Sequence, residues 1–205
     1  MSVTIEIAYL IDYEEYKSEL VKWLKSHWGK FYPERNDVEW GERLFPNRGK
    51  LPLTFIAIDK SAGKPRVVGM LTLKNDGMPG YSYPKESVWV SSLYVEQGSR
   101  NNGIATHLLK YAIREAERLN IGELLLFTRT SGEIYKKLGW QTIATPEHQV
   151  GKVLVMSKQL NLKDEYKFGK SRNILFNQNT ISYPSVNENY IPNQSTSRYF
   201  QNPKL

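Results

Sequence analysis

The 205-residue chain contains no cysteine. Disulfide scaffolds, thiolate metal sites and cysteine nucleophiles are excluded, so any chemistry must use oxygen and nitrogen groups. No stretch is long and apolar enough to span a bilayer, and the opening MSVTIEIAYLIDYEEY lacks the basic start and unbroken apolar core of a secretion signal. A cytoplasmic protein without membrane association is expected. Histidine is scarce, and His27, His107 and His148 stand without recognisable partners, so no metal site is expected. Blocks of like charge are missing too. Lys and Arg outnumber Asp and Glu 28 to 21, but they are scattered along the chain. That dispersion argues against extended nucleic-acid binding and suits a small anionic partner, which needs only a few cations.

The length accommodates one domain with a real core plus an extra segment. Residues 3–10 read as a strand. Asp12 followed by Glu15 resembles a capping box opening a helix that Gly29 closes, with Tyr16, Leu20, Trp23, Leu24 and His27 on one face. A shorter helix is expected over 37–44. LPLTFIAID, KSAGKP and RVVGMLTLKN form a hairpin signature, and VWVSSLYV is the next strand. Ile104, Leu108, Ala112, Ala116 and Leu119 recur at helical period, with Ala105, Leu109 and Ile113 widening the stripe to face a sheet. ELLLFT has the pattern of a strand covered on both faces. SGEIYKKLGW reads as a short helix ended by Gly139, and QTIAT and KVLVMSKQL as closing strands.

After Leu160 the composition shifts to Asn, Ser and Tyr without a sustained apolar period. Such a segment cannot bury enough surface to offset its ordering entropy. The expectation is a folded domain over 1–160 and a disordered tail over 161–205, whose one apolar cluster is Ile174, Leu175 and Phe176.

Between VWVSSLYV and the amphipathic helix lies QGSRNNGIAT. Gly, Ser and Asn suit a mere turn. The position also suits an anion site, because a helix start presents unpaired N–H groups to whatever occupies the crevice. Gly103 lets the backbone approach a phosphate, the small Ala105 avoids crowding it, and Thr106 adds a hydroxyl donor. No GxxxxGK[ST] sequence is present, and the acidic context of a dinucleotide fold is missing.

The order strand, loop, helix, strand, helix, strand over residues 3–160 resembles the GNAT superfamily of N-acetyltransferases, in its bacterial type. Arg100, Gly103 and Ala105 in RNNGIA match the family's Gln/Arg-x-x-Gly-x-Gly/Ala pattern, and EIYKKLGW is similar to its Tyr-x-x-x-Gly-Phe/Trp segment. Asn101 and Asn102 stand where many relatives have Gly and a basic residue, and Gln97 where many have Pro. The resemblance implies an α/β fold with a mixed, mostly antiparallel sheet flanked by helices. It also implies acetyl-CoA as co-substrate, with the pyrophosphate on Arg100, Asn101, Asn102, Gly103, Ile104, Ala105 and Thr106. The pantetheine is expected along Leu93, Tyr94 and Val95.

The implied reaction is direct attack of a primary amine, on a small molecule or a protein, upon the thioester. Tyr135 matches the family's tyrosine, and a phenol protonated at neutral pH can supply the departing thiolate with a proton. Asp76, Glu86 and Glu133 are open candidates for the base, and Ser91 or Ser92 for holding a relay water. Trp23, Trp28, Phe31, Tyr32 and Trp40 either shape the acceptor site or pack the core. The rival readings are a catalytically silent acyl-CoA-binding module and a basic interaction protein acting through its tail. Neither the acceptor nor the oligomeric state is readable.

Overall fold

Side chains alternate across a strand, so a run apolar at every position must be covered on both faces. In this computed structural model, which describes residues 4–162 except 46, 62, 79, 85 and 149, together with 181–182, the buried strand β2 (Leu53–Asp59) shows the pattern. Leu53, Phe55 and Ala57 join one core, and Ile56 and Ile58 the other.

Strands β1 (Ile5–Tyr9), β2, β3 (Arg66–Lys74) and β4 (Val88–Val95) pair antiparallel in chain order. Helix α3 (Ile104–Arg118) then crosses over to β5 (Glu123–Thr128), which runs parallel to β4. Strand β7 (Leu154–Gln159) lies antiparallel to β5, and β6 (Gln141–Ala144) antiparallel to β7. At the other edge the two-residue β8 (Ile181–Ser182) runs parallel to β1, giving the order β6-β7-β5-β4-β3-β2-β1-β8. The mostly antiparallel α/β architecture expected from the sequence is the one formed.

Helix α3 seats Ile104, Leu108, Leu109, Ala112 and Ala116 on one face of the sheet. Each large side chain so buried contributes about 1.5–3 kcal/mol. Helices α1 (Lys17–Trp28) and α2 (Asp37–Glu42) cover the other face with Leu20, Trp23, Leu24 and Trp40. The short α4 (Glu133–Lys136) rests Ile134 and Tyr135 against the core under α3. No helix among the described residues is long and apolar enough to cross a membrane.

The anticipated capping box at Asp12 and Glu15 is absent. Two 3-10 turns, Leu10–Asp12 and Glu14–Tyr16, occupy that stretch, α1 begins at Lys17, and Arg48 engages the Asp12 carboxylate. A capping box instead opens α2: Asn36 accepts from the N–H groups of Val38 and Glu39, and the Glu39 carboxylate accepts from the Asn36 N–H. Helix α1 does end at Gly29, its C-cap, but that glycine keeps right-handed angles, φ −54°, and a 3-10 turn follows directly. Of the tail, Ile181 and Ser182 are described; Ile174, Leu175 and Phe176 lie outside the described residues.

Two irregularities position the site. The β3–β4 register shifts between Met70 and Thr72 where Ser92 takes φ 54°, a bulge in β4. Strands β4 and β5 pair only at Val88–Leu124 and Trp89–Leu125, so their later residues are free to separate.

Candidate active site

Where β4 and β5 part, a cleft of about 960 Å³ opens, lined along one side by Ser91 to Val95 and along the other by Leu126 to Thr130. Its size is in the range of small-molecule sites. One end is the loop that enters α3. Asn101 takes φ 63° and Gly103 φ 75°, and no side chain caps the helix. The first-turn N–H groups, which have no intrahelical acceptor, therefore face the cleft. A Cβ at Gly103 would meet only the His107 ring, at 3.4 Å, so the demand for glycine there comes from its left-handed backbone.

The loop is braced from beneath. Arg66 donates to the Glu96 carboxylate at 2.7 Å, and the Ser99 hydroxyl donates to it at 3.0 Å. Arg100 donates Nε–H to the Val95 carbonyl at 2.9 Å and carries its guanidinium 5.7 Å from the Tyr94 ring centroid. Leu93, Tyr94, Val95, Arg100, Asn101, Gly103, Ile104, Ala105 and Thr106 all line the cleft. Asn102 does not. Its amide donates to the carbonyls of Ser99 and Arg100, at 3.3 and 3.2 Å, which makes it a brace of the loop.

A left-handed glycine, an uncapped helix start and a groove leading away between two strands form a cradle that fits a pyrophosphate with a narrow arm. Tyr135 lines the same cleft, half-buried, with its ring edge-on to Trp140 at 6.2 Å. Burial pushes its phenol up to about 12, so the proton stays on at neutral pH. Its hydroxyl makes no hydrogen bond among the described residues.

Of the candidate bases, Asp76 lines the cleft, whereas Glu86 and Glu133 do not; Ser91 and Ser92, the candidates for holding a relay water, line it too. His107 points back to the Gly103 carbonyl at 2.8 Å, and His148 takes the Val150 N–H at 3.3 Å. His27, which has no partner in sequence, does line the cleft, packed against Trp28 at 4.5 Å and Tyr94 at 5.5 Å. Burial, then the charges of Arg100, Lys30 and Arg129, hold its pKa below the usual histidine value, which keeps the imidazole neutral at neutral pH. Among the described residues no group of three or more histidines and carboxylates could hold a metal ion.

Trp28, Phe31, Tyr32 and Trp40 line the cleft, while Trp23 sits behind it against Tyr94 at 5.1 Å. At this end lie groups that sequence reading missed. Lys74, at the end of β3, is 7% exposed at its side chain and donates to Asp76 at 2.6 Å. Burial, then the positive charge of Arg43, pushes its pKa down to about 8. Arg35 stacks over Tyr32 at 4.0 Å and Trp40 at 5.1 Å. Just past β5, Arg129 reaches to within 5.0 Å of the Phe31 ring.

Residues 17–140 match the model of the acetyltransferase (GNAT) family. No curated protein matches the chain by sequence. Among solved structures, an aminoglycoside 6′-N-acetyltransferase complexed with coenzyme A is similar at 18% identity and TM-score 0.58, covering 78% of this chain and 99% of that one. A GNAT acetyltransferase from Streptococcus pneumoniae is 17% identical with TM-score 0.56, covering 77% of this chain and 99% of its own. The NatC complex bound to Gag peptide and CoA is 21% identical with TM-score 0.52, over 76% and 99%. At such identities the likeness is one of fold.

Proposed function

The chain belongs to the GNAT acetyltransferase family, whose co-substrate is acetyl-CoA, and from that premise we propose that it transfers the acetyl group to a primary amine by direct attack on the thioester. The observation that carries this reading is that the uncapped start of α3, the bulged strand β4 and the Tyr135 phenol all face one continuous cleft. When bound, acetyl-CoA supplies an activated acyl carbon and a thiolate leaving group.

The residues divide the remaining work. N–H groups from Gly103 to Thr106 and the Arg100 side chain hold the pyrophosphate. Backbone groups of Leu93, Tyr94 and Val95, on the edge of β4 that β5 leaves after Trp89, hold the pantetheine arm and polarise the carbonyl. The Tyr135 hydroxyl, still protonated at neutral pH, gives its proton to the departing sulfur. His27, neutral in the same cleft, takes a proton from the incoming amine.

Tyr135→Phe keeps the ring and its packing on Trp140 while removing that proton. Turnover, read as thiol release, is expected to fall by roughly 10²-fold or more while calorimetric affinity for CoA changes little. Turnover near the parent's level would reject the acid role. Tight CoA binding by the parent chain without thiol release from any amine would make it a silent acyl-CoA-binding module instead.

A further inference from the structure

The cleft is polarised along β4. Lys74 stands opposite Trp89 in the β3–β4 register, six residues before Val95. The bulge adds one of those residues, and along β3 the same span runs from Lys74 to Gly69, which at about 3.3 Å per residue is roughly 16 Å from the loop that opens α3. The cations at this far end are therefore separate from those at the pyrophosphate end.

Their surroundings are unusual for positive charge. Lys74 is buried, and its carboxylate partner Asp76 is itself 67% exposed. Arg43, also lining the cleft, makes no ion pair among the described residues; burial, then Arg35, lowers its pKa. Arg35 is held between aromatic rings rather than by an acid. Three cations thus share one carboxylate in a partly enclosed space, where withdrawing charge from water is costly without compensation. A guanidinium fixed by aromatic stacking, beside a second guanidinium and an ammonium, forms a preorganised receptor for a planar or tetrahedral oxyanion.

Resting on the transferase reading above, we infer that the acceptor is a small primary amine that carries its own acidic group, a carboxylate or a phosphate, which Arg35, Arg43 and Lys74 bind. The aromatic walls of Tyr32 and Trp40 limit its bulk, and binding its anion at the far end directs its amino group back towards the thioester beside the bulge in β4. The same charges repel polyamines and aminoglycosides, which bring several ammonium groups to a wall with a single carboxylate.

The test uses two matched pairs, β-alanine with β-alaninamide and phosphoethanolamine with ethanolamine, and spermidine as a polycation. Each is titrated into the full chain by calorimetry, with and without CoA, and assayed for thiol release from acetyl-CoA. The acid-bearing member of at least one pair is expected to bind, and to be acetylated with kcat/KM at least about tenfold above its neutral partner. The pair that shows this identifies the acid as carboxylate or phosphate. In Arg43→Gln the ratio within that pair should fall towards one while CoA affinity holds.

Equal or better binding of the neutral amines or spermidine, or no binding of any acid-bearing amine, overturns the inference. The two readings fail separately. Thiol release without acid preference leaves the transferase and removes the anion subsite. Acid-selective binding that Arg43→Gln abolishes, without thiol release, keeps the subsite and removes the transferase.

Discussion

A lysine ammonium withdrawn from water needs compensating partners, and among the described residues Lys74 pairs only with the Asp76 carboxylate while Arg43 and Arg35 oppose it. Its pKa is lowered to about 8 from the ordinary 10.5. Between those values the unfolded chain binds more protons than the folded one, so this residue makes stability rise with pH across that window. Below about 8 the buried charge imposes its full cost. Lys74→Met, which keeps the length and cannot ionise, is expected to raise the melting temperature at neutral pH by a few degrees, on the order of 1 kcal/mol. That gain should shrink as the pH rises towards 10.5, and a gain constant across the window in thermal scans would show that the lysine's charge is not its cause. Lys74 is invisible in sequence for a clear reason: it ends an apolar strand, where a lysine followed two residues later by Asp76 reads as an exposed terminus, and only the arrival of Arg43 and Arg35 from a distant segment makes it part of a site. That Tyr135 belongs near the cleft it lines was legible through the family resemblance, because its neighbours up to Trp140 form a local pattern. Asn102 was named with the loop through the family resemblance, and sequence did not show that its side-chain amide turns inward to two carbonyls.

Helix α3 depends on two glycines that act differently. Gly69 lies beneath its start: a Cβ there would come within 3.1 Å of the Tyr94 carbonyl oxygen, 3.2 Å of Leu108 and 3.3 Å of Ile104. Gly69→Val should overpack the seat of the helix and cost about 1–3 kcal/mol, seen as a lower denaturation midpoint. Gly103 sits at the helix start with φ 75°, in open space apart from His107. Gly103→Val should leave the core intact yet distort the loop and crowd the pyrophosphate, weakening CoA at least tenfold, about 1.4 kcal/mol. Unchanged calorimetric affinity in a folded Gly103 variant would reject the cradle. These elements were legible to different degrees. The stripe of α3 follows from periodicity and the nearly all-apolar β5 from its apolar run, and both formed where expected. The bulge at Ser92 and the parting of β4 from β5 were not legible, because register is a property of two strands and not of either. The Asp12 and Glu15 box failed for a similar reason: local capping chemistry lost Asp12 to Arg48, a partner distant in sequence.

At the scale of the whole molecule, the sheet, apart from β8, and its three apolar clusters are built from residues 5–160. Strand β7 completes one edge through β6, and the Leu160 N–H donates to the Gly122 carbonyl at 2.8 Å. Beyond that point the described contribution of the tail is the parallel pairing of Ile181 and Ser182 with Ile5 and Glu6, at the edge away from the cleft. Two residues of ladder add little to β1, which is already paired along its length with β2. Among the described residues, those that line the cleft run from Leu24 to Val150. A chain ending at Leu162 is therefore expected to keep its CoA affinity and to melt within about 2–4 °C of the full chain, the shift that corresponds to 1 kcal/mol at this size. The two readouts separate the alternatives. A large drop in melting temperature with affinity retained would mean that the tail supports the β1 edge more broadly than this short ladder does, and a loss of affinity at unchanged stability would mean that it reaches the cleft.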